Sequence, residues 1–302
     1  MHPDLSLVVV CYEMARELPR TLLSLSPAYQ RGVSSGNYEV IVVDNGSTEP
    51  PDARQFADLG LTLRVLRCRS ASPSPVAALN EGLAAARGAL VGAWIDGARL
   101  ASPGLLHAAT MATSLHSRPI VATTNYQLGF QRQHLSAAEG YDRTREDELL
   151  RSIDWPRDGY RLFEVATPEM KNPPFGPMLE SNALFMPKSL WDELGGYDPA
   201  FTEPGGGMVN PDTLTRACAL PETQLIRIMG EATFHQIHGG MTTSSAALAL
   251  KTLDEGSRFY LRLRGQPLKP VRKLGWVFDA SKNAVLMTGG GPGEVAAGAG
   301  GR

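Results

Sequence analysis

The chain has 302 residues, 43% of them hydrophobic, and its 29 Lys and Arg against 31 Asp and Glu leave a net charge of −2. That is enough apolar residue for a real core in one large or two small domains, and the near-neutral balance excludes bulk attraction to nucleic acid. Three widely spaced cysteines (Cys11, Cys68, Cys218) suit reduced thiols in a cytoplasmic protein better than a disulfide frame or a zinc site. No run approaches the roughly 20 apolar residues of a membrane span. The N-terminus also lacks the basic region of a signal peptide, so the expectation is a soluble protein with at most peripheral membrane contact.

Leu5 to Tyr12 is an apolar strand that leads into Glu13 and a helical stretch through Arg16, Leu18, Leu22 and Leu25. Tyr38 to Asp44 reads YEVIVVD, a mostly β-branched run that suits a parallel strand buried on both faces. About 25 residues separate the two, enough for the helix of a right-handed crossover. Asp44-Asn45-Gly46-Ser47 stops the second strand in a turn. Ligands of open α/β sheets sit outside such strand ends, where an Asp either accepts hydrogen bonds from a base or ribose or only forms the turn. A third strand spans Leu61 to Cys68, with a loop from Arg69 to Pro75. Val76, Leu79, Leu83 and Ala86 then recur at helical spacing and Gly88 is the stop signal. A fourth strand, Ala89 to Ile95, ends in Asp96-Gly97-Ala98-Arg99. The pattern predicts an α/β fold, a doubly wound, mixed but mostly parallel sheet flanked by helices.

Downstream, Ser136 to Asp158 is charged and irregular, with Glu146, Asp147 and Glu148 in a short helix. Trp155 and Trp191 are of a type that stacks on sugar rings, but Trp191 lies at helical spacing with Leu190 and Leu194 and reads as core. Gly205-Gly206-Gly207 is not followed by Lys-Ser/Thr and is no P-loop; it reads as a flexible loop that lets backbone approach a ligand. After a strand-like run from Gln224 to Met229 come His235 and His238, three apart and followed by Gly239-Gly240. Alone, His-x-x-His is more often structural than catalytic, and it lacks the further ligands of a zinc enzyme. Arg258, Arg262, Arg264, Lys269, Arg272 and Lys273, interleaved with Phe259, Tyr260 and Trp276, suit a solvated helix face or contact with an anionic partner. Gly289 to Arg302 is too rich in Gly and Ala to pack and is expected to be disordered.

VVVCYEM, YEVIVVDNGST, the segment Asn80 to Gly88, and the strand ending in Asp96 occur in the order and spacing of one known family. Glu180 to Phe185, Leu194 to Asp198, and Gly205 to Gly207 with Asp212 and Arg216 continue the match, over roughly residues 5 to 240. The chain resembles family 2 glycosyltransferases of the GT-A fold. The resemblance implies transfer of a sugar from a UDP- or GDP-sugar donor, helped by Mn2+ or Mg2+, to a glycan, lipid-linked or small-molecule acceptor. It divides the chain into a nucleotide-sugar half (1–125), an acceptor and catalytic half (126–243), a C-terminal helical extension (244–288) and the tail (289–302). It puts Tyr12, Glu13, Asp44, Asn80 and Asp96 at the nucleotide, and the segment 136–158 over the mouth of the site.

Two departures from the family pattern stand out. Family members usually present Asp-x-Asp where this chain has Asp96-Gly97-Ala98, a single carboxylate. Asp96 then anchors the cation with water and phosphate oxygens, since magnesium needs few protein ligands; otherwise metal binding is weakened or lost. A histidine commonly completes the cation shell, and His238 is the first choice, with His235 as its orienting partner. Inverting members also carry an acidic pair six to seven residues before the arginine matched by Arg216, and here those places hold Val209 and Asn210. An Asn cannot accept the acceptor's proton. Asp212 displaced into the role stands first and Glu180 next; Glu203, or a retaining reaction without such a base, are the other options. The absent carboxylates also leave open a catalytically inactive nucleotide-sugar-binding module. A nucleotidyltransferase ranks last, because Tyr12-Glu13-Met14-Ala15 is unlike the glycine-rich basic loop of that class.

Overall fold

The computed structural model describes residues 3–238, 246–271 and 275–287; the predicted tail at 289–302, Gly239-Gly240, Arg272 and Lys273 lie outside the described residues. In chain order the strands are β1 (Leu5–Cys11), β2 (Tyr38–Asp44), β3 (Leu63–Arg67), β4 (Leu90–Trp94), β5 (Arg99–Ala101), β6 (Pro119–Leu128), β7 (Ala166–Pro168), β8 (Ala183–Pro187), β9 (Gln224–His235), β10 (Trp276–Asp279) and β11 (Ala284–Met287). The helices are α1 (Glu17–Ser24), α2 (Val76–Ala85), α3 (Leu105–Thr113), α4 (Gln133–Ala138), α5 (Arg143–Ile153), α6 (Lys188–Leu194), α7 (Val209–Ala219) and α8 (Ala246–Arg264).

All the strands join one sheet in the order β11-β10-β9-β6-β8-β4-β1-β2-β3, with β5 on β9 and β7 on β6. β1 pairs in parallel with β2 and β4, β2 with β3, and β9 with β6 and β10. β8 runs antiparallel between β4 and β6. This is the mixed, mostly parallel sheet that the pattern of apolar runs predicts. The carboxyl ends of β1, β2, β4, β6 and β9 therefore share one edge, and the residues just before β8 arrive at that same edge.

Alternation along the strands fills both faces. Leu5, Leu7 and Val9 of β1, with Val40 and Val42 of β2, pack under Leu18 and Leu22 of α1 and Leu105 and Ala109 of α3. Val8, Val10, Ile41 and Val43 point the other way, under Leu79 and Leu83 of α2, Leu190 and Trp191 of α6, and Leu214 of α7. Each such fully buried side chain contributes about 1.5–3 kcal/mol of transfer free energy. Trp191 is 2% exposed, stacks on Tyr197 with ring centroids 5.6 Å apart and donates to the Val91 carbonyl; it is core, as predicted. Trp155 is also core, 5% exposed and edge-on to Tyr29, so it offers no platform for a sugar ring.

The Asn80 to Gly88 motif is a packing device. A Cβ at Gly82 would lie 2.3 Å from Val8 Cγ1, and one at Gly88 would lie 2.7 Å from the Leu5 and Ser6 backbone. Glycine at these two places lets α2 and its exit lie directly on β1. Asn80 accepts from the Tyr197 amide (2.9 Å) and donates to the Tyr197 carbonyl (2.8 Å). Both ends of its amide are thus spent on the Gly195–Tyr197 turn, and the expected place at the nucleotide is corrected to this lock between α2 and the turn.

Two regions differ from the sequence reading. The irregular segment at 136–158 holds an 11-residue helix, α5, capped by Asp142 accepting from the Arg145 amide. The expected helical extension at 244–288 is helical over Ala246–Arg264, but Trp276–Asp279 and Ala284–Met287 add two strands to the sheet edge. Val277 and Phe278 are buried there, and a β-type run beside the open edge of β9 finds its backbone partners in the sheet. Among the described residues, no helix is long and apolar enough to cross a membrane.

Candidate active site

The loops at the carboxyl edge hold Tyr12, Glu13, Asp44 and Asp96 of the predicted nucleotide residues, but not Asn80. Asp44 is fully buried, and its carboxylate accepts from the amides of Gly46 (3.3 Å) and Ser47 (3.2 Å), so it caps its own turn. Its side chain shapes the loop rather than reaching outward. The Cys11 thiol lies 4.0 Å from the Asp44 carboxylate, and burial, then this charge, push it up to about 12. Glu13 takes a left-handed φ of 51° and accepts from the Thr48 amide at 2.8 Å, while its own amide donates to Ser47 Oγ. These bonds tie the loop after β1 to the loop after β2. Tyr12 beside them is 56% exposed. A cleft of about 450 Å3 opens at the ends of β2 and β3, lined by Asp44, Pro50, Pro51, Asp52, Val65 and Arg67. A second cavity, about 260 Å3 and lined by Arg31, His107, Tyr160 and Glu231 among others, contains none of the predicted site residues.

Asp96 closes β4 and meets the end of β9. One candidate ligand atom from each of Asp96, His235 and His238 lies within 4.8 Å of the others. His235 Nε2 is 4.0 Å from Asp96 Oδ2 and 3.1 Å from His238 Nε2. The tautomer of His235 follows from its neighbour. Gln133 of α4 donates through Nε2 to the His235 carbonyl (2.8 Å), so its Oε1, 2.7 Å from His235 Nδ1, accepts the proton on that nitrogen. That leaves the Nε2 lone pair facing Asp96 and His238, the form in which an imidazole binds a metal. Burial, then Arg99, holds His235 neutral, well below its usual range; burial also lowers His238. Burial would raise Asp96, but Arg99 and the two histidines outweigh it and hold the carboxyl at about 2. One ionised carboxylate and two neutral imidazoles fit a divalent cation such as Mn2+. His235, expected as an orienting partner, thus joins His238 as a candidate ligand, and the orienting role falls to Gln133.

Arg99 is the other partner of Asp96. Its Nε donates to Asp96 Oδ2 at 2.9 Å and its Nη1 to Asn125 Oδ1 at 2.7 Å, with the residue 7% exposed. Asn125 in turn donates to Glu169.

Asp212, first in line for the base, is placed elsewhere. It is fully buried, and its carboxylate accepts from Arg216 Nε (2.7 Å) and from Arg264 Nε and Nη2 (2.7 and 2.8 Å). A carboxylate saturated by two guanidiniums is a tie between α7 and α8, and the expectation of a base there is corrected. Asn210, on the same turn, donates to Glu180 Oε2 at 3.0 Å and to Asn182 Oδ1 at 2.9 Å. Glu180 thus brings a carboxylate to the side chain of Asn210, the position where the family pattern has an acidic residue. Asn182 donates to Glu180 Oε1 (3.3 Å), and its carbonyl accepts the Ile95 amide, which sets the Glu180 loop beside the Asp96 strand end. Burial, then the nearby Glu169 carboxylate, push Glu180 up to about 7 against the pull of Arg99. The third option, Glu203, has both carboxylate oxygens buried without a hydrogen-bond partner among the described residues.

Gly205, Gly206 and Gly207 all take positive φ, and the Gly205 amide donates to the Pro73 carbonyl. A Cβ at Gly206 would meet Val209 at 2.8 Å. This turn docks on a neighbouring loop rather than hanging free. The segment 136–158 is anchored by charge: Arg16 donates to Glu17, Glu146 and Asp147, Arg20 to Asp147, and Glu146 accepts the Ile237 amide at 2.7 Å. Sequence reasoning missed Gln133, Arg99, Asn125 and Glu169. Position 99 carried a visible signal, a cation directly after the place where a second carboxylate is expected; the others come together only through the β6–β9 pairing.

The family model described as Glycosyl transferase family 2 matches residues 6–109. No curated protein matches the chain in sequence. Among solved structures, Staphylococcus aureus TarS is similar at a TM-score of 0.52 and 14% identity, over 85% of this chain and 40% of that one. This chain thus spans well under half of that protein. A complex of TarS residues 1–349 with UDP gives 0.53 and 15% over 86% and 72% of the two chains. The mannosyltransferase PcManGT from Pyrobaculum calidifontis, in complex with GDP-Man and Mn2+, gives 0.51 and 16% over 87% and 71%. Such identities speak for a shared fold. Residues 6–109 thus match the family 2 glycosyltransferase model, and the chain shares over most of its length the fold of the glycosyltransferases TarS and PcManGT.

Proposed function

We propose that this protein transfers a glycosyl group from a nucleotide-diphosphate sugar to an acceptor hydroxyl, with Glu180 as general base. The observation that carries the reading is the Glu180 carboxylate, held by Asn210 and Asn182 beside the Asp96 strand end and raised to about 7. A group with that pKa is both available and basic enough near neutral pH. The acceptor oxygen attacks the anomeric carbon, its proton passes to Glu180, and the bond to the β-phosphate oxygen breaks with its electron pair leaving on the diphosphate. Asp96, His235 and His238 are the residues that would hold Mn2+ or Mg2+, which supplies charge stabilisation to that leaving group. Tyr12, Glu13 and the Asp44 turn form the nucleoside side of the site, with Asp44 acting through the shape of its loop. Residues 1–125 serve the donor and 126–243 the acceptor and the chemistry. The protein works in the cytoplasm, in glycan or glycoconjugate synthesis.

UDP- or GDP-sugars with Mn2+ should raise the melting temperature, and Asp96→Ala should remove the cation-dependent part of the rise. Release of free sugar or transfer to any offered acceptor establishes the enzyme. Donor binding with no turnover at all would favour the non-catalytic module.

A further inference from the structure

The site carries one fixed positive charge where the family pattern carries one more negative charge. Ala98 stands in the place of the second Asp, and the next residue is Arg99. Its guanidinium is not a surface group: it is 7% exposed and held between Asp96 Oδ2 and Asn125 Oδ1, on the short strand β5 that pairs with His235. Arginine stays protonated in proteins, and its planar fork carries five N–H donors of which these two acceptors take fewer than all. A charge fixed in a water-poor site acts on an incoming anion without reorganising. The need for such a charge is plain, since a departing nucleoside diphosphate gains negative charge and one carboxylate with two imidazoles holds a cation less firmly than a site with a carboxylate pair.

We propose that Arg99 is a built-in cation for the donor diphosphate, so that nucleoside diphosphate binds to this protein in the absence of a divalent ion. The proposal rests on the nucleotide-sugar reading above. Arg99 then shares Asp96 with the metal, and each supplies part of the charge that the diphosphate meets. A merely structural Arg99 would neutralise Asp96 and leave nucleotide affinity unmoved.

The test is calorimetric titration of UDP, and separately of GDP, into the wild type, Arg99→Lys and Arg99→Gln, each in EDTA and in Mn2+. In EDTA the wild type should bind one of the two nucleotides within about tenfold of its affinity in Mn2+. Arg99→Gln should lose at least about tenfold in EDTA and much less in Mn2+, while Arg99→Lys, which keeps the charge, should fall between. Wild-type binding only in Mn2+ overturns the proposal and leaves the nucleotide-sugar reading standing; binding in neither condition overturns both. Equal EDTA affinities for wild type and Arg99→Gln also overturn it. If Arg99→Gln does not fold, the wild-type comparison and Arg99→Lys still decide the matter.

Discussion

The two halves of the sheet obey different rules. From β1 to β4 every functional loop follows its own strand, so the chemistry at a strand end stands next to the apolar run that places it. Between β6 and β9 the site is assembled across the fold: Gln133 from a helix after β6, Glu180 from the loop before β8, Asn210 from the first turn of α7, and His235 from the last residue of β9. The difference teaches that a sequence pattern can locate a binding edge while leaving the reacting group undetermined. The Glu180 carboxylate meets Asn210 from a different element, and only the folded geometry brings the two together.

The largest effect expected outside the chemistry is at Asp212, where the account assigns a fastener. Asp212→Asn leaves Arg216 and Arg264 facing a neutral group, and unfolding should become easier by about 2 kcal/mol. That is less than the roughly 3–5 kcal/mol of a wholly buried pair, because both arginine side chains keep about a quarter of their surface exposed. Denaturant titration measures the loss, and the folded fraction should keep its turnover number. A folded Asp212→Asn protein without turnover would return the base to α7.

A smaller effect is expected at Gln133, which orients His235 in the candidate metal site. Gln133→Ala removes the acceptor for His235 Nδ1–H, frees the ring to change tautomer, and should weaken Mn2+ binding by about 10–100-fold. Titration of Mn2+ into the nucleotide-free protein reads this directly. Unchanged affinity would mean that His235 does not face the metal through Nε2.

The smallest effect is in the pH dependence of stability. Glu180 has a folded-state pKa of about 7, above the ordinary carboxylate value of 4.5. The folded state therefore favours the protonated form. Its contribution to stability is fully present below about 4.5 and is lost as pH rises through about 7. Glu180→Gln, which cannot ionise, should thus melt at a higher temperature than the wild type at pH 8, with the gap closing toward pH 4.5. A gap that widens on acidification would contradict the burial of this carboxyl beside Glu169.

Much of the region from β1 to β4 was legible because local signals coincide there. The runs at 5–12 and 38–44 are the strands β1 and β2, and the turn after Asp44 lies where the run ends. Even so, the motif Asn80 to Gly88 misled as to role: its glycines and its Asn serve the contact of α2 with β1 and Tyr197, a packing demand invisible without the neighbour. Further along the chain, His238 and Glu180 were visible as residue types, but nothing near Asp212 announces that Arg264, 52 positions away, consumes its carboxylate. The β strands at 276–287 were hidden for a similar reason, since a basic stretch precedes them and their partner is the edge of β9.

The central claim is that Glu180 replaces the acidic pair of the family as general base. Turnover and nucleotide affinity measured together on Glu180→Gln, at pH 8 with the donor that raises the melting temperature most, test it most directly. The account predicts a fall in kcat of about 10²–10⁴-fold with nucleotide affinity changed by less than about threefold. Turnover within about threefold of the wild type would contradict it.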